Sequence, residues 1–243
     1  INVVGEQVSP SYIDMTIASL EKFGVEVQND KYQKYTVASD SEYKSAQYMV
    51  EGDASGASYF WALAAITHGE VKIKNIDPHS VQGDVEFADV LTKMGCKVHQ
   101  STDDKSIRVN GPAQLKGINI NMNSMPDTAQ TLAVVAAFAE GETRITGLQN
   151  LRVKETDRLS ALQVELKKMK IKVEIGDDYI VIPGGKPKGA AIETYSDHRM
   201  AMSFAVAGAK VSGVKILQPD VVNKSFPSFW EKMESLGVKI TRK

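Results

Sequence analysis

Within the 243 residues two patterns recur, one four times and one three times, and this periodicity constrains the fold more than any single motif does. The first is a helix with apolar residues at helical spacing, a Gly-centred stop and a β-rich run. It covers Tyr12 to Val27, Phe87 to Val98, Leu159 to Val173 and Phe226 to Ile240. Its stops fall at Gly24, Gly95, Lys170 and Gly237, at intervals of 71, 75 and 67 residues. Glycine accepts the left-handed helix end that a Cβ makes costly, so Lys170 predicts a helix closed in a different way. The second pattern is an aspartate, a small-residue-rich helix, a glycine and a strand, beginning at Asp53, Asp127 and Asp197, 74 and 70 residues apart. Together they define a unit of about seventy residues: strand, small-residue helix, strand, amphipathic helix, then strands such as the YIVI run at 179–182. A run like LAVVAAFA at 132–139 is apolar nearly all round, which predicts burial on every side. Three units with their helices packed centrally and their sheets outside predict one lobe over residues 52–243. Residues 1–51 hold only the later half of a fourth unit, and read as the remnant of a preceding lobe and a hinge. Ile1, leading straight into a strand-like run, fits a chain that is part of something longer.

Composition removes several function classes. The net charge of −1 comes from 29 basic and 30 acidic residues mixed along the whole length, so a nucleic-acid-binding surface has no compositional support. No run approaches the roughly 20 apolar residues of a membrane span, and no charged-then-apolar signal segment opens the chain. The single cysteine, Cys96, has no internal disulfide partner and the four histidines are scattered, so zinc and redox chemistry have no ligand set. The chain reads as cytoplasmic.

Three polar clusters could carry chemistry. NLRVKETDR, Asn150 to Arg158, sets Arg152, Lys154, Glu155 and Arg158 just before and inside a helix start near Thr156. Cations there oppose the helix dipole, which points to an anionic ligand; ordinary surface pairing of Glu155 with Arg158, and capping by Thr156 or Asp157, explains the same letters. SDHRMAM puts Arg199 in the first turn of a buried-type helix, where it binds a ligand or pairs with a neighbouring loop. NKSFP puts Lys224 just before Ser225, read as the cap of the last helix. Arg158, Arg199 and Lys224 all occupy helix starts of the repeat, and helix starts in a repeated architecture share a face, so the three converge on one mouth suited to carboxylate or phosphate. Asp127 shares its repeat position with Asp53 and Asp197, and N-capping explains all three; facing the mouth instead, it is a carboxylate among cations that accepts a proton from a hydroxyl. Ser9 and Tyr12 open another helix and offer hydroxyl donors, with a plain cap as the other reading of Ser9. The Ser80, Gln82 and Asp84 loop reads as a turn and cap.

The strings EGDASGASYF, MPDTAQTLAVVAAFAEG, RVKETDRL, YSDHRMAMSFAVAG and NKSFPSF, in this order and spacing, resemble the C-terminal part of the 5-enolpyruvylshikimate-3-phosphate synthase family over essentially the whole chain. The resemblance implies an α/β fold of repeated βαβαββ units, each three forming an inside-out barrel lobe, with two lobes closing over the substrates. It implies transfer of the enolpyruvyl group of phosphoenolpyruvate to the 5-hydroxyl of shikimate 3-phosphate, a transferase step of the shikimate pathway of aromatic amino acid biosynthesis and the target of glyphosate. Neither a metal nor an organic cofactor is implied. By the resemblance, Arg158, Arg199 and Lys224 bind phosphoenolpyruvate and Glu155 is an acid/base group near its methylene. Asp127 is the base for the 5-hydroxyl, Lys154 and Asn150 contact shikimate 3-phosphate, and Ser9 and Tyr12 belong to its phosphate site.

Leu151 stands where the family usually has Trp, and Gly56 where Ser is frequent. The larger departure is that the family's N-terminal lobe, with its Lys-Ser-x-x-x-Arg segment, a further cleft arginine and Ser-Ser-Gln phosphate contacts, has no counterpart here. The chain is therefore expected to need a complementing N-terminal lobe for turnover. Other readings are a non-catalytic lobe that holds a phosphorylated ligand, and an enolpyruvyl transferase acting on a nucleotide sugar.

Overall fold

The computed structural model describes residues 1–242. Three helices form its centre: α2 (Ala54–Thr67), α4 (Ala129–Ala136) and α6 (His198–Gly208). Nearly every residue of the three is buried, as an apolar, small-residue surface on all sides requires. Ser58, Thr131 and Ser203, one from the first two turns of each helix, join hydroxyl to hydroxyl at 3.2 and 3.5 Å with exposures of 0–1%. Three side chains of this size let the helices pack closely, and each polar atom finds a partner, which a buried hydroxyl requires. Matching depths mean that the helices run in the same direction, so their N-terminal ends open on one face.

The sheets lie outside this centre. In the first unit β3 (Glu70–Lys74), β4 (Lys97–Ser101) and β5 (Ser106–Asn110) form an antiparallel sheet in the order β3-β5-β4, with α3 (Phe87–Lys93) between β3 and β4 in the chain. The middle unit shows all six elements: β6 (Asn119–Asn121), α4, β7 (Thr143–Thr146), α5 (Arg158–Lys168), β8 (Glu174–Ile175) and β9 (Ile180–Ile182). Its sheet runs β6-β7-β9-β8, with only β6 and β7 parallel. The third unit carries β10 (Ala191–Ile192) parallel to β11 (Lys215–Ile216), then α7 (Phe229–Ser235). Helices inside and sheets outside give the expected inside-out arrangement. The sheets remain separate, and no strand barrel closes among the described residues. Ahead of these units, α1 (Pro10–Lys22) and the hairpin of β1 (Val27–Asp30) and β2 (Lys34–Val37) supply the half-unit; α1 buries no residue.

Four details depart from expectation. The amphipathic helix that ends at Lys170 closes like the other three. Lys170 takes φ 66°, beside 85°, 102° and 88° at Gly24, Gly95 and Gly237. Its N–H donates to Lys167 O and the next N–H to Leu166 O, the pair of bonds that Gly24 and Val25 make to Glu21 and Leu20. The orphan carbonyls at the helix end dictate this conformation whatever residue is present. Lys170→Gly is therefore expected to stabilise the protein: removing a left-handed cost of about 1–2 kcal/mol outweighs glycine's extra chain entropy of about 0.5–1 kcal/mol. A thermal melt should rise by roughly 2 °C, and a fall in melting temperature would contradict the assignment. The last helix starts at Phe229 rather than at Ser225, because Pro219–Lys224 forms its own 3-10 turn. Residues 238–242 form no strand after it, and the opening residues make only an isolated bridge, Asn2 to Lys34, rather than a strand.

Candidate functional site

The N-terminal ends of the central helices and the turn before α5 meet at one mouth. Asp53 and Asp197 cap α2 and α6 as expected, accepting from the Ser55 and Arg199 amides. Asp127 does not cap. Pro126 starts a 3-10 turn, Pro126–Thr128, ahead of α4, and this turn releases the Asp127 carboxylate from the helix end. It stands 2.8 Å from Arg199 Nη2, 3.2 Å from Arg158 Nη1 and 3.7 Å from Lys154 Nζ. Burial alone would raise its pKa, but Arg199, Lys154 and Arg158 hold it below the usual carboxylate value.

Arg158 opens α5, whose cap is Asp157 through the Ser160 amide. Its side chain is 1% exposed and its guanidinium is spread over three carboxylates: Asp197 at 2.7 Å from Nε, Asp127 at 3.2 Å from Nη1 and Glu155 at 2.6 Å from Nη2. Arg199 bonds Asp127 and receives no other carboxylate, its Nη1 donating to Tyr59 Oη at 3.3 Å. Lys224 is the exposed member and donates to Glu155 Oε1. Its segment is held in place by aromatic packing, Phe226 against Phe60 of α2 at 5.7 Å and Phe229 against Tyr59 at 5.9 Å. Burial opposes ionisation of Glu155, yet the hydrogen bond from Lys224 and the charge of Arg158 bring its carboxyl down to about 2. The five side chains expected to converge, Arg158, Arg199, Lys224, Asp127 and Glu155, thus form one connected network.

Ser9 takes the left-handed conformation at the N-terminus of α1, and its hydroxyl caps nothing. It accepts instead from Asn150 Nδ2, a buried side chain 141 residues away, whose Oδ1 has no hydrogen-bond partner. Tyr12, one turn on, reaches Asp84 at 3.3 Å. Arg152 has a structural task, with bonds to Asp157, Asp177 O and Gly176 O. Gln82 accepts from the Ala54 amide and donates to Gly52 O, which makes the SVQGD loop part of the α2 cap.

Two side chains at this mouth carried no signal of their own in the sequence. His198 is 4% exposed, with Nδ1 3.6 Å from Asp197 Oδ1, 3.9 Å from Glu155 Oε1 and bonded to neither. Burial and the adjacent Arg199 lower its pKa, which leaves the ring neutral near pH 7. Asp84 is also buried at the mouth; the only hint of either was its place beside a string already singled out.

A family profile described as EPSP synthase (3-phosphoshikimate 1-carboxyvinyltransferase) matches residues 1–233. The chain belongs to the EPSP synthase family. It is 47% identical over 239 residues to the 3-phosphoshikimate 1-carboxyvinyltransferase of Sulfurovum sp. (strain NBC37-1) and 46% identical to that of Vibrio campbellii, covering 98% of this chain and 55% of each relative. The chain thus spans about half the length of the curated EPSP synthase relatives it matches. Among solved structures, EPSP synthase from Acinetobacter baumannii superposes with a TM-score of 0.78 at 30% identity, over 91% of this chain and 54% of that one. The enolpyruvyl transferase NikO from Streptomyces tendae shares the fold, with a TM-score of 0.75 at 17% identity over 97% and 55% of the two chains. No helix among the described residues is long and apolar enough to cross a membrane.

Proposed function

We propose that this chain supplies the C-terminal half of an enzyme that moves the enolpyruvyl group of phosphoenolpyruvate onto the 5-hydroxyl of shikimate 3-phosphate. Residues 52–243 are its C-terminal lobe, and residues 1–51 finish the preceding lobe and the hinge. The observation that supports this most is the gathering of Arg158, Arg199, Lys224, Asp127 and Glu155 at one mouth. Both substrates are anions, and fixed cations are what allow two anions to approach each other.

In the absence of ligand the carboxylates hold the cations, so binding must exchange partners. Lys224 is the most exposed of them, and a lysine ammonium on a flexible stem moves readily. Once it turns to the phosphoenolpyruvate carboxylate or phosphate, Glu155 loses its closest cation, and its pKa rises. That shift brings Glu155 toward the range in which a carboxylic acid can give a proton to the methylene carbon and take one back. Asp127 likewise becomes a better base as Lys154 and Arg199 turn to ligand, and accepts the 5-hydroxyl proton. The oxygen then bonds to C2 and a tetrahedral adduct forms, in which the protonated carbon is a methyl group; return of one methyl proton to Glu155 breaks the C2–O bond to phosphate and restores the double bond. In this reading Ser9, Tyr12, Asn150 and Lys154 hold shikimate 3-phosphate, while Arg158 sets the carboxylates that surround phosphoenolpyruvate and contacts it. Residence in the cytoplasm belongs to the same proposal, resting on the lone buried Cys96 and the evenly mixed charge.

A substrate panel tests the reading. The chain is paired with a separately made N-terminal half of a relative, and phosphate release from phosphoenolpyruvate is followed. Shikimate 3-phosphate is expected to support release and a UDP-sugar acceptor to support none. Release with the UDP-sugar alone would reassign the acceptor, and binding of shikimate 3-phosphate without release would reduce the chain to a ligand-holding lobe.

A further inference from the structure

The mechanism above leaves the buried carboxyl of Asp84 unused. Asp84 lies on the 3-10 turn Gly83–Glu86 and is 6% exposed. Among the described residues it makes no ion pair, and its side chain's hydrogen-bond partner is Tyr12 Oη, at 3.3 and 3.5 Å from its two oxygens. The charged groups that face it come from three further elements: Asp127 from the turn before α4, Arg199 from α6 and Asp53 from the start of α2. The junction is built without spare room. A Cβ on Gly83 would stand 2.5 Å from Ser124 O and 2.8 Å from the Ser11 side chain, so only glycine lets the Asp84 turn, the start of α1 and the Ser124 loop meet. Ser11 Oγ donates to Ser124 O across the same junction.

We propose that Asp84 is a positioning residue that decides where the Tyr12 hydroxyl proton points, and thereby links anion binding at the mouth to proton uptake. When Asp84 is ionised, Tyr12 donates to it and has no proton to offer an anion. When Asp84 carries a proton, the carboxyl donates to Tyr12 Oη, and the phenol proton turns to the mouth. One proton from solvent ends on Asp84, and no covalent bond between heavy atoms changes. This rests on the reading of the mouth as the site of a phosphorylated substrate. Burial, then the negative charge of Asp127, push the Asp84 carboxyl up to about 7 against the pull of Arg199. Burial and Asp84 push Tyr12 well above the usual phenol value, so it stays a neutral hydroxyl while Asp84 titrates.

The test is NMR on the 243-residue chain with ring-labelled tyrosine, following the Tyr12 Cζ resonance, identified by Tyr12→Phe, from pH 5 to 9 with and without inorganic phosphate. The wild-type resonance is expected to titrate near pH 7, and saturating phosphate to raise that midpoint by about one unit. Phosphate affinity should then fall about fivefold more between pH 6 and 8 than in Asp84→Asn. The Asn amide donates permanently to Tyr12 Oη, so that variant should bind phosphate, show no titration of Tyr12 and melt no lower than wild type at pH 8. A Tyr12 resonance that is flat in the wild type, or a midpoint that phosphate leaves in place while shifting the backbone amide signals of Ser9, Asn150 and Arg158 in a second, uniformly 15N-labelled sample, overturns the proposal alone. Phosphate that perturbs none of these signals overturns the proposal together with the anion reading of the mouth.

Discussion

Arg158→Ala is expected to lower the stability of the protein by about 3–5 kcal/mol, the cost of stranding a buried charge by removing its partner. At roughly 2–4 °C per kcal/mol for a chain of this size, the melting temperature should fall by about 6–20 °C. The reason lies in Asp197, which is 0% exposed and whose two oxygens meet Arg158 Nε at 2.7 Å and Nη2 at 3.4 Å. Without the guanidinium, Asp197 keeps the Arg199 amide at the helix start, while His198, neutral and unbonded, supplies no replacement charge. Asp127 and Glu155 retain Arg199 and Lys224, so the loss concentrates on Asp197. Two companion variants make the argument discriminating. Arg158→Lys keeps the charge but reaches at most one or two of the three carboxylates, and should recover only part of the loss. Arg158→Met combined with Asp197→Asn removes both buried charges and keeps a side chain able to cap α6, and should be more stable than Arg158→Met alone. Denaturation midpoints for the set decide the matter: if the double variant is the less stable, the buried charge of Asp197 is not what Arg158 offsets.

How far the sequence could be read depended on whether the determining interaction was local. The repeat and the parallel central helices follow from apolar spacing and small residues, which neighbouring letters carry. The grouping of Arg158, Arg199 and Lys224 follows from their repeat positions, even though Lys224 sits on a 3-10 turn and not at the start of α7. What escaped was set by partners far along the chain. Ser9 looks like a cap until Asn150 claims its hydroxyl, and Asp84 looks like part of a turn until Tyr12 packs against it from 72 residues away. Asp127 reads as the twin of Asp53 and Asp197, and only the 3-10 turn begun by Pro126 separates it from them. Arg158 reads as a ligand-binding cation or as the surface partner of Glu155, because letters cannot show that Asp127 and Asp197 surround it as well. Lys170 misleads in the opposite sense: the backbone needs of a helix end override the residue's own preference.

The largest effect should appear in turnover. Alone, this chain is expected to release phosphate from phosphoenolpyruvate and shikimate 3-phosphate at least about 10⁴-fold more slowly than the same chain with an N-terminal half added, a factor smaller than the 10⁵–10⁸ M effective molarities that orientation can supply. Relatives are nearly twice as long as this chain, and residues 1–51, which the proposal sets against the other lobe, are its least buried part. α1 buries none of its residues, and Val4, Val8, Tyr43, Tyr48, Met49 and Val50 are all exposed in the same 51-residue stretch. Apolar exposure on that scale is what a covering surface removes. The chemistry gives the same answer independently. Asp127 and Glu155 are held ionised by Arg199, Lys154, Arg158 and Lys224, so both proton transfers wait on ligands that draw those cations away. In an open mouth water screens the cations, and the ligands that must draw them off the carboxylates bind weakly. A coupled phosphate-release assay on the chain alone, then with a relative's N-terminal half titrated in, reads the effect directly. Saturable restoration by the added half is the expected result. Turnover by the chain alone within tenfold of the complemented pair would mean that the groups already at this mouth are sufficient, and the two-lobe proposal would have to be abandoned.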